Sequence, residues 1–146
     1  RGYGYHTVQS MITVGKGGLA GIQGENETSQ SVLKFLPEPQ TDFIFAVTAE
    51  NTGFVGCISL LLAYALLISR FIGGAREANE RAGMLVIMSI ATSMVFQIFI
   101  NVGMTLGFLP VIGVPLPLMS AGLSALLSTF IAIGFVVSIK MRRFVN

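Results

Sequence analysis

Asp42 is the residue whose type and position most strongly suggest chemistry. It stands between a proline-containing polar segment and an apolar run that opens with Phe43, Ile44 and Phe45. Apolar neighbours remove water from a carboxylate and disfavour its charged form, which suits the group to accept and release protons near neutral pH. Asp42 is therefore the first candidate for a general base.

A structural role for Asp42 stays open beside the chemical one. Thr and Asp are favoured at the N-cap of a helix, and Thr41 and Asp42 directly precede a segment that can be helical. Glu38 lies four residues before Asp42, but Pro37 and Pro39 force an extended path, so the spacing does not put the two carboxylates on one helix face. A paired-carboxylate glycosidase site cannot be inferred from it.

The elements that position these residues are membrane helices. Of 146 residues, 53% are hydrophobic and only 11% are charged, with a mean hydropathy of +0.76, which is too apolar for an ordinary soluble domain. No Asp, Glu, Lys, Arg or His occurs from Ala82 to Ile139, a run that exceeds the roughly 20 residues of one span. Clustered glycine and proline at 107–117 divide it into two spans.

The sequence predicts an all-α integral membrane protein, a polytopic helical bundle in which three transmembrane helices follow a large extracellular loop segment. The spans are expected at about 53–72, 83–106 and 118–139. Residues 1–52 form the loop segment, 73–82 a cytoplasmic loop and 140–146 a cytoplasmic tail. An external segment without an export signal indicates the C-terminal part of a larger multi-span protein.

Charge supports this orientation. Residues 1–52 carry three basic and five acidic side chains, whereas the predicted cytoplasmic parts, counted with Arg70 just before the loop, carry six basic and two acidic ones. Basic residues are retained on the cytoplasmic side of a membrane. The basic residues assigned to that side are Arg70, Arg76, Arg81, Lys140, Arg142 and Arg143. The positive balance is a topology signal and gives no support to nucleic-acid binding.

Other motifs are weaker. The glycine-rich stretch around Lys16 lacks the spacing of a phosphate-binding P-loop. Val8, Met11 and Ile12 recur at helical spacing and predict a short amphipathic helix at the membrane interface. Cys57 is the single cysteine, so no disulfide within the chain is possible.

Two polar residues interrupt the second span, Gln97 and Asn101, four positions apart. They could line a functional cavity, but hydrogen bonding between helices is the commoner use of such residues.

Four segments together resemble the SEDS family (shape, elongation, division and sporulation). They are GYHTVQSMITVGKGGLAG, SQSVLKFLPEPQTDFIFAVTAE, FQIFINVGM and GFLPVIGVPLPLMSAG, in the family's order and spacing. The resemblance covers nearly the whole chain, and the GVPLPL wording favours the elongation branch over the division branch. It implies the last large extracellular loop and the final three of ten transmembrane helices.

The resemblance implies a peptidoglycan glycosyltransferase of the bacterial cytoplasmic membrane that polymerises lipid II for cell elongation and shape, with a class B penicillin-binding protein as partner. The family's essential aspartate corresponds to Asp42. One base suffices, because a lipid pyrophosphate is already a good leaving group. A divalent cation such as Mg²⁺ or Mn²⁺, or Lys16 or Lys34, could stabilise the departing pyrophosphate, and no organic cofactor is expected.

The resemblance also suggests residues that contact the substrate or support Asp42. These are Gln30, Lys34, Glu38, Thr41 and Glu50. The chain departs from the family pattern at Gln40, at Asn51 and in the SAGLS segment, where Ala121 and Leu123 replace Tyr and Gly. Leu123 is expected to obstruct any close backbone approach that glycine allows there.

Two alternatives come from other functional classes. A lipid flippase would need polar residues along a path through the spans, for which Gln97 and Asn101 are the candidates. A non-catalytic scaffold of the cell-wall synthesis complex gains weight from the altered SAGLS segment.

Overall fold

The computed structural model describes residues 3–19, 21, 43–78, 80–120 and 122–142. Within these ranges the structure is helical and has no strand. Its helices are α1 (Tyr3–Lys16), α2 (Ile44–Arg76), α3 (Arg81–Thr105) and α4 (Leu123–Arg142). The last three are long and apolar enough to cross a membrane, so the predicted all-helical, three-span architecture is confirmed.

Helix α1 contains the predicted amphipathic segment, with an unusual distribution of burial. Its apolar residues Val8, Met11 and Ile12 are exposed, whereas the polar residues Ser10 and Thr13 are completely buried. Ser10 and Thr13 therefore pack onto the rest of the bundle together with Val14, whereas Val8, Met11 and Ile12 face outward. An outward apolar face suits a helix that lies against lipid, although the interfacial location itself stays a prediction.

Helix α2 is long because it consists of two arms joined at Gly53. Gly53 has φ 68° and ψ −164°, a combination that only glycine adopts readily, and it lies inside an otherwise continuous helix. A short arm (44–52) precedes the break and a long arm (54–76) follows it. The sequence predicts a membrane border at about 53, but it does not predict that the chain stays helical on both sides.

The connection from α3 to α4 occupies residues 106–122. Leu118 has a positive φ of 64°, which is uncommon for a residue with a side chain, and the Ser120 hydroxyl accepts a hydrogen bond from the Leu116 N–H at 2.9 Å. These local features keep the chain non-helical beyond Pro117, so α4 begins at Leu123, later than the third span is predicted to begin. The membrane borders themselves stay predictions.

The apolar core has two main parts. One, the connector end, lies near the short link between α2 and α3 and joins α2, α3 and α4. The other, the break end, lies near Gly53 and joins α1, α2, α3 and the 106–122 connection. The connector end contains Phe71, Ala75, Ile87, Ala91, Met94 and Val136; the break end contains Phe45, Ala49, Cys57, Tyr64, Ile98 and Leu116.

Candidate functional site

The break in α2 is closed by backbone groups from another part of the chain. In a continuous α-helix the N–H groups of residues 54 and 55 donate to carbonyls four residues earlier. Here the Phe54 N–H donates to the Gly18 carbonyl at 2.9 Å, and the Val55 N–H donates to the Leu19 carbonyl at 3.2 Å. The acceptors belong to the glycine turn, defined as residues 17–19 and 21, which therefore caps the long arm.

Glycine is required where this turn meets the short arm. A Cβ atom on Gly17 would collide with the Ala49 carbonyl, and one on Gly21 would collide with the Asn51 carbonyl. Gly21 also has a φ of 79°, which disfavours any residue with a side chain. The turn accepts hydrogen bonds from the long arm while its Cα atoms touch carbonyls of the short arm, so it contacts both sides of the break.

Phe43 fixes the start of the short arm. It is the N-cap residue of α2 and is buried together with Ala46 against Val14 of α1 and Val111 of the 106–122 connection. No side-chain hydrogen bond from Phe43 caps the helix. Asp42 is bonded directly to Phe43, whose side chain packs against α1 and the 106–122 connection.

The short arm also carries a buried carboxylate. Glu50 is 1% exposed, and among the residues that the structure describes neither of its carboxylate oxygens has a hydrogen-bond partner. The Lys16 ammonium at the end of α1 attracts it electrostatically. Burial of a carboxylate without hydrogen bonds is costly, so Glu50 is a group suited to accept a hydrogen bond from a bound molecule.

A series of buried polar groups surrounds the same end of the bundle. The Ser10 hydroxyl donates to the Thr105 carbonyl at 3.0 Å, and the Thr105 hydroxyl donates to the Asn101 carbonyl at 2.7 Å. The Asn101 side-chain amide donates to the Val114 carbonyl at 2.7 Å. Asn101 therefore binds the 106–122 connection to α3. This is a packing role, and its partner lies in the connection rather than in another helix.

Gln97 has a different environment from Asn101. It is half-buried and lines a cavity of about 310 Å³ between α3, the prolines Pro115 and Pro117, and the start of α4. Hydroxyl-bearing residues of α4 complete the wall, namely Ser124, Ser128 and Thr129. The two polar residues of the second span thus face different surroundings.

Most of the predicted site residues lie outside the described ranges. These are Asp42, Gln30, Lys34, Glu38 and Thr41, together with Gln40 and Ala121 from the departures. Glu50 and Lys16 lie inside, and the Lys16 ammonium attracts the Glu50 carboxylate across the junction of α1 and α2. Leu123 is 79% exposed at the start of α4, and its obstruction of a close backbone approach stays a prediction.

The described residues do not assemble a metal site. Within the ranges that the structure describes, no three His, Cys, Asp or Glu side chains come together. Glu50 stands apart from other carboxylates in those ranges, so it does not by itself fit a divalent cation. The divalent cation therefore stays a prediction.

Sequence reasoning missed the function of the glycines. It described the stretch around Lys16 as glycine-rich and considered a phosphate-binding loop, but the structure uses Gly17 and Gly21 for close packing against the short arm. The signal that could have found this role was Gly53 itself, since a glycine that begins an apolar span often marks a bend with exposed backbone groups.

Comparisons with known proteins agree with this arrangement. A family profile described as Cell cycle protein matches residues 1–144. The peptidoglycan glycosyltransferase MrdB of Escherichia coli (strain K12) is 46% identical over 142 residues, which cover 97% of this chain and 38% of MrdB. The peptidoglycan glycosyltransferase RodA of Treponema pallidum (strain Nichols) is 37% identical over 96% of this chain and 32% of RodA.

A solved structure shares the fold. It comes from work on the structural coordination of polymerization and crosslinking by a peptidoglycan synthase complex. It superimposes on this chain with a TM-score of 0.80 at 31% identity. The match covers 98% of this chain and 38% of the other. The chain thus spans about two fifths or less of the length of the proteins that it resembles.

Proposed function

Because the chain belongs to the SEDS family of peptidoglycan glycosyltransferases, we propose that it forms the part of a lipid II polymerase that carries the general base, Asp42. The observation that carries the proposal is the match of nearly the whole chain to glycosyltransferase relatives, with Asp42 in the TDFIF segment. Support from the structure is indirect: Phe43, the next residue, is buried and held by α1 and the 106–122 connection.

In this proposal one sugar hydroxyl attacks the anomeric carbon of a second, lipid-linked sugar. The Asp42 carboxylate takes the hydroxyl proton as the new carbon–oxygen bond forms, and the bond from the anomeric carbon to the lipid pyrophosphate breaks. The leaving group departs with the bonding electron pair and needs positive charge nearby. Lys34 is proposed for this role, with Lys16 close to the short arm.

Glu50 is proposed to bind the substrate. Its buried carboxylate can accept a hydrogen bond from a hydroxyl or amide group of the sugar, and such a bond to a charged acceptor is worth roughly 1.5 to 3 kcal/mol. Gln30, Glu38 and Thr41 are proposed to contact the substrate or to support Asp42.

The full-length protein is proposed to act in the bacterial cytoplasmic membrane, with its C-terminus in the cytoplasm and Asp42 outside, beside a class B penicillin-binding protein.

The test is the Asp42→Asn variant of the full-length protein, purified with its penicillin-binding partner and supplied with lipid II. Asn keeps the shape of the side chain, but it cannot accept a proton as a carboxylate does. Glycan-strand synthesis is expected to fall by about 10²- to 10⁴-fold, the usual contribution of a positioned base. Unchanged synthesis would refute the assignment of Asp42.

A further inference from the structure

We infer that the glycine turn positions the short arm of α2 for the reaction, so that Gly17 and Gly53 are positioning residues for Asp42 and Glu50. The inference rests on the proposed function, because it concerns how the same site is held. It extends that proposal to residues that touch neither the substrate nor the reacting atoms. Three groups of contacts carry it.

The first group is the capping of the break. The Gly18 and Leu19 carbonyls accept hydrogen bonds from the Phe54 and Val55 N–H groups, which have lost their partners within α2. An unsatisfied backbone group inside a membrane protein costs several kcal/mol. The break at Gly53 is therefore stable only while the glycine turn stays in place, and the direction of the short arm depends on a segment distant in sequence.

The second group is the close contact on the other side of the break. Gly17 is buried against the backbone of Ala49 and Glu50, so closely that a Cβ atom would lie 2.8 Å from the Ala49 carbonyl carbon and 3.3 Å from the Glu50 Cα. Backbone atoms cannot rotate away as a flexible side chain can. A side chain at residue 17 must therefore move either the turn or the short arm.

The third group connects the short arm to α1 and to the rest of the bundle. Val14 packs against Phe43 and Ala46, while the Ser10 hydroxyl holds α1 on the Thr105 carbonyl of α3. Phe43, which precedes the short arm, thus packs against α1, and Glu50, near its other end, lies against Gly17 of the glycine turn. A shift of the turn changes the positions of Glu50 and of the residue bonded to Asp42 together.

Gly15 provides a matched control for Gly17. It lies two residues earlier, in the last turn of α1, and a Cβ atom at this position meets nothing within 4 Å. Gly15→Ala and Gly17→Ala make the same chemical change, and only the second forces backbone atoms apart. Any difference between the two variants therefore reports the contact with the short arm rather than the loss of a glycine.

The experiment measures rate and geometry in the same full-length protein. Spin labels at Asn51→Cys on the short arm and Leu66→Cys on the long arm, both exposed positions, report the distance across the break by pulsed electron resonance. The labelled protein carries Cys57→Ala and has any further reactive cysteine removed. Steady-state polymerisation of lipid II by the unlabelled variants, with the penicillin-binding partner present, gives kcat and KM.

For Gly17→Ala we expect about a tenfold lower kcat, a KM raised several-fold because Glu50 moves with the short arm, and a shifted or broadened distance distribution. Gly15→Ala is expected to match the parent in all three. An unchanged kcat for Gly17→Ala would overturn the inference, and so would a lower kcat with an unchanged distance. Equal effects of the two variants would overturn it as well.

Two further variants keep the test decisive. If Gly17→Ala does not accumulate in membranes, Gly18→Ala replaces it, because it strains a positive φ of 53° without a collision; smaller changes of the same kind are expected, and no change in either readout overturns the inference. Asp42→Asn is expected to lose activity at an unchanged distance. An active Asp42→Asn protein would refute the proposed function, while the Gly17→Ala data would still judge the positioning of the arm.

Discussion

The two ends of the bundle bury different kinds of side chain. At the connector end the buried residues named above are apolar, and helices α2, α3 and α4 meet there as ordinary membrane helices do. At the break end the described structure buries Glu50, Asn101, Thr105 and Ser120, together with Ser10 and Thr13 of α1. Buried polar groups inside a membrane protein are costly, and they commonly mark functional sites.

This chain departs from a simple helical fold at the break end. The connector end needs only apolar helices of the right length, whereas the break end needs a glycine with an exceptional backbone conformation, a second segment that caps it and a helix that turns Ser10 and Thr13 inward. Such features lower stability, and proteins keep them where function needs them. The proposed reaction is a function of that kind.

The largest difference between the ends, after the base itself, is expected at Glu50. Glu50→Gln removes the negative charge while keeping the shape of the side chain. The amide oxygen of Gln is a weaker hydrogen-bond acceptor than a carboxylate, so KM should rise about tenfold with a smaller change in kcat. The measurement is steady-state polymerisation of lipid II by the full-length protein.

The control for Glu50 is the same substitution at an exposed site. Glu80 precedes α3 and makes no side-chain capping hydrogen bond, so Glu80→Gln should leave KM within about twofold of the parent value. Equal KM values for Glu50→Gln and the parent protein would show that Glu50 does not bind the substrate.

An intermediate effect is expected at the connector end, and it concerns stability rather than catalysis. Ile87 is completely buried among Phe71, Ala75, Ala91, Met94 and Val136. Ile87→Ala should lower the free energy of unfolding by about 2 kcal/mol, the low end of the usual range, because lipid also solvates the side chain in the unfolded state. The rate of polymerisation per folded molecule should stay unchanged.

The test for Ile87 combines thermal unfolding in detergent with the rate measured at a temperature where both proteins are folded. A large fall in the rate per folded molecule would contradict the separation of the two ends, because it would show that packing at the connector end controls the site.

The smallest effect is expected on the exposed side of α3. Met88 follows Ile87 directly but is at the border of exposure, and Met88→Leu conserves volume and apolarity. The unfolding free energy should change by less than about 1 kcal/mol, with an unchanged rate. A loss as large as that of Ile87→Ala would mean that the two faces of α3 do not differ as the buried areas indicate.

The sequence predicts the connector end almost completely. Apolar length, the charge-free run from Ala82 to Ile139 and the clustered prolines are enough to place three membrane helices. These properties are local, since each helix satisfies its own backbone hydrogen bonds and needs only an apolar surface.

The break end could be predicted only in part. TDFIF points to Asp42 by family resemblance, and Glu50 follows from the same segment, but the bonds from Phe54 and Val55 to the glycine turn join residues that are more than 30 positions apart. No local pattern around Gly17 states that its partner is the carbonyl of Ala49. The helical continuation of α2 across Gly53 was missed for the same reason, because the capping groups come from elsewhere in the chain.

The central claim, that the break end holds the catalytic base, is tested most directly by the initial rate of lipid II polymerisation by full-length Asp42→Asn protein, compared with Ile87→Ala protein at equal folded concentration. The Asp42→Asn protein is expected to lose at least about 10²-fold in polymerisation rate, while the Ile87→Ala protein retains the parent rate. An Asp42→Asn protein as active as the parent would contradict it.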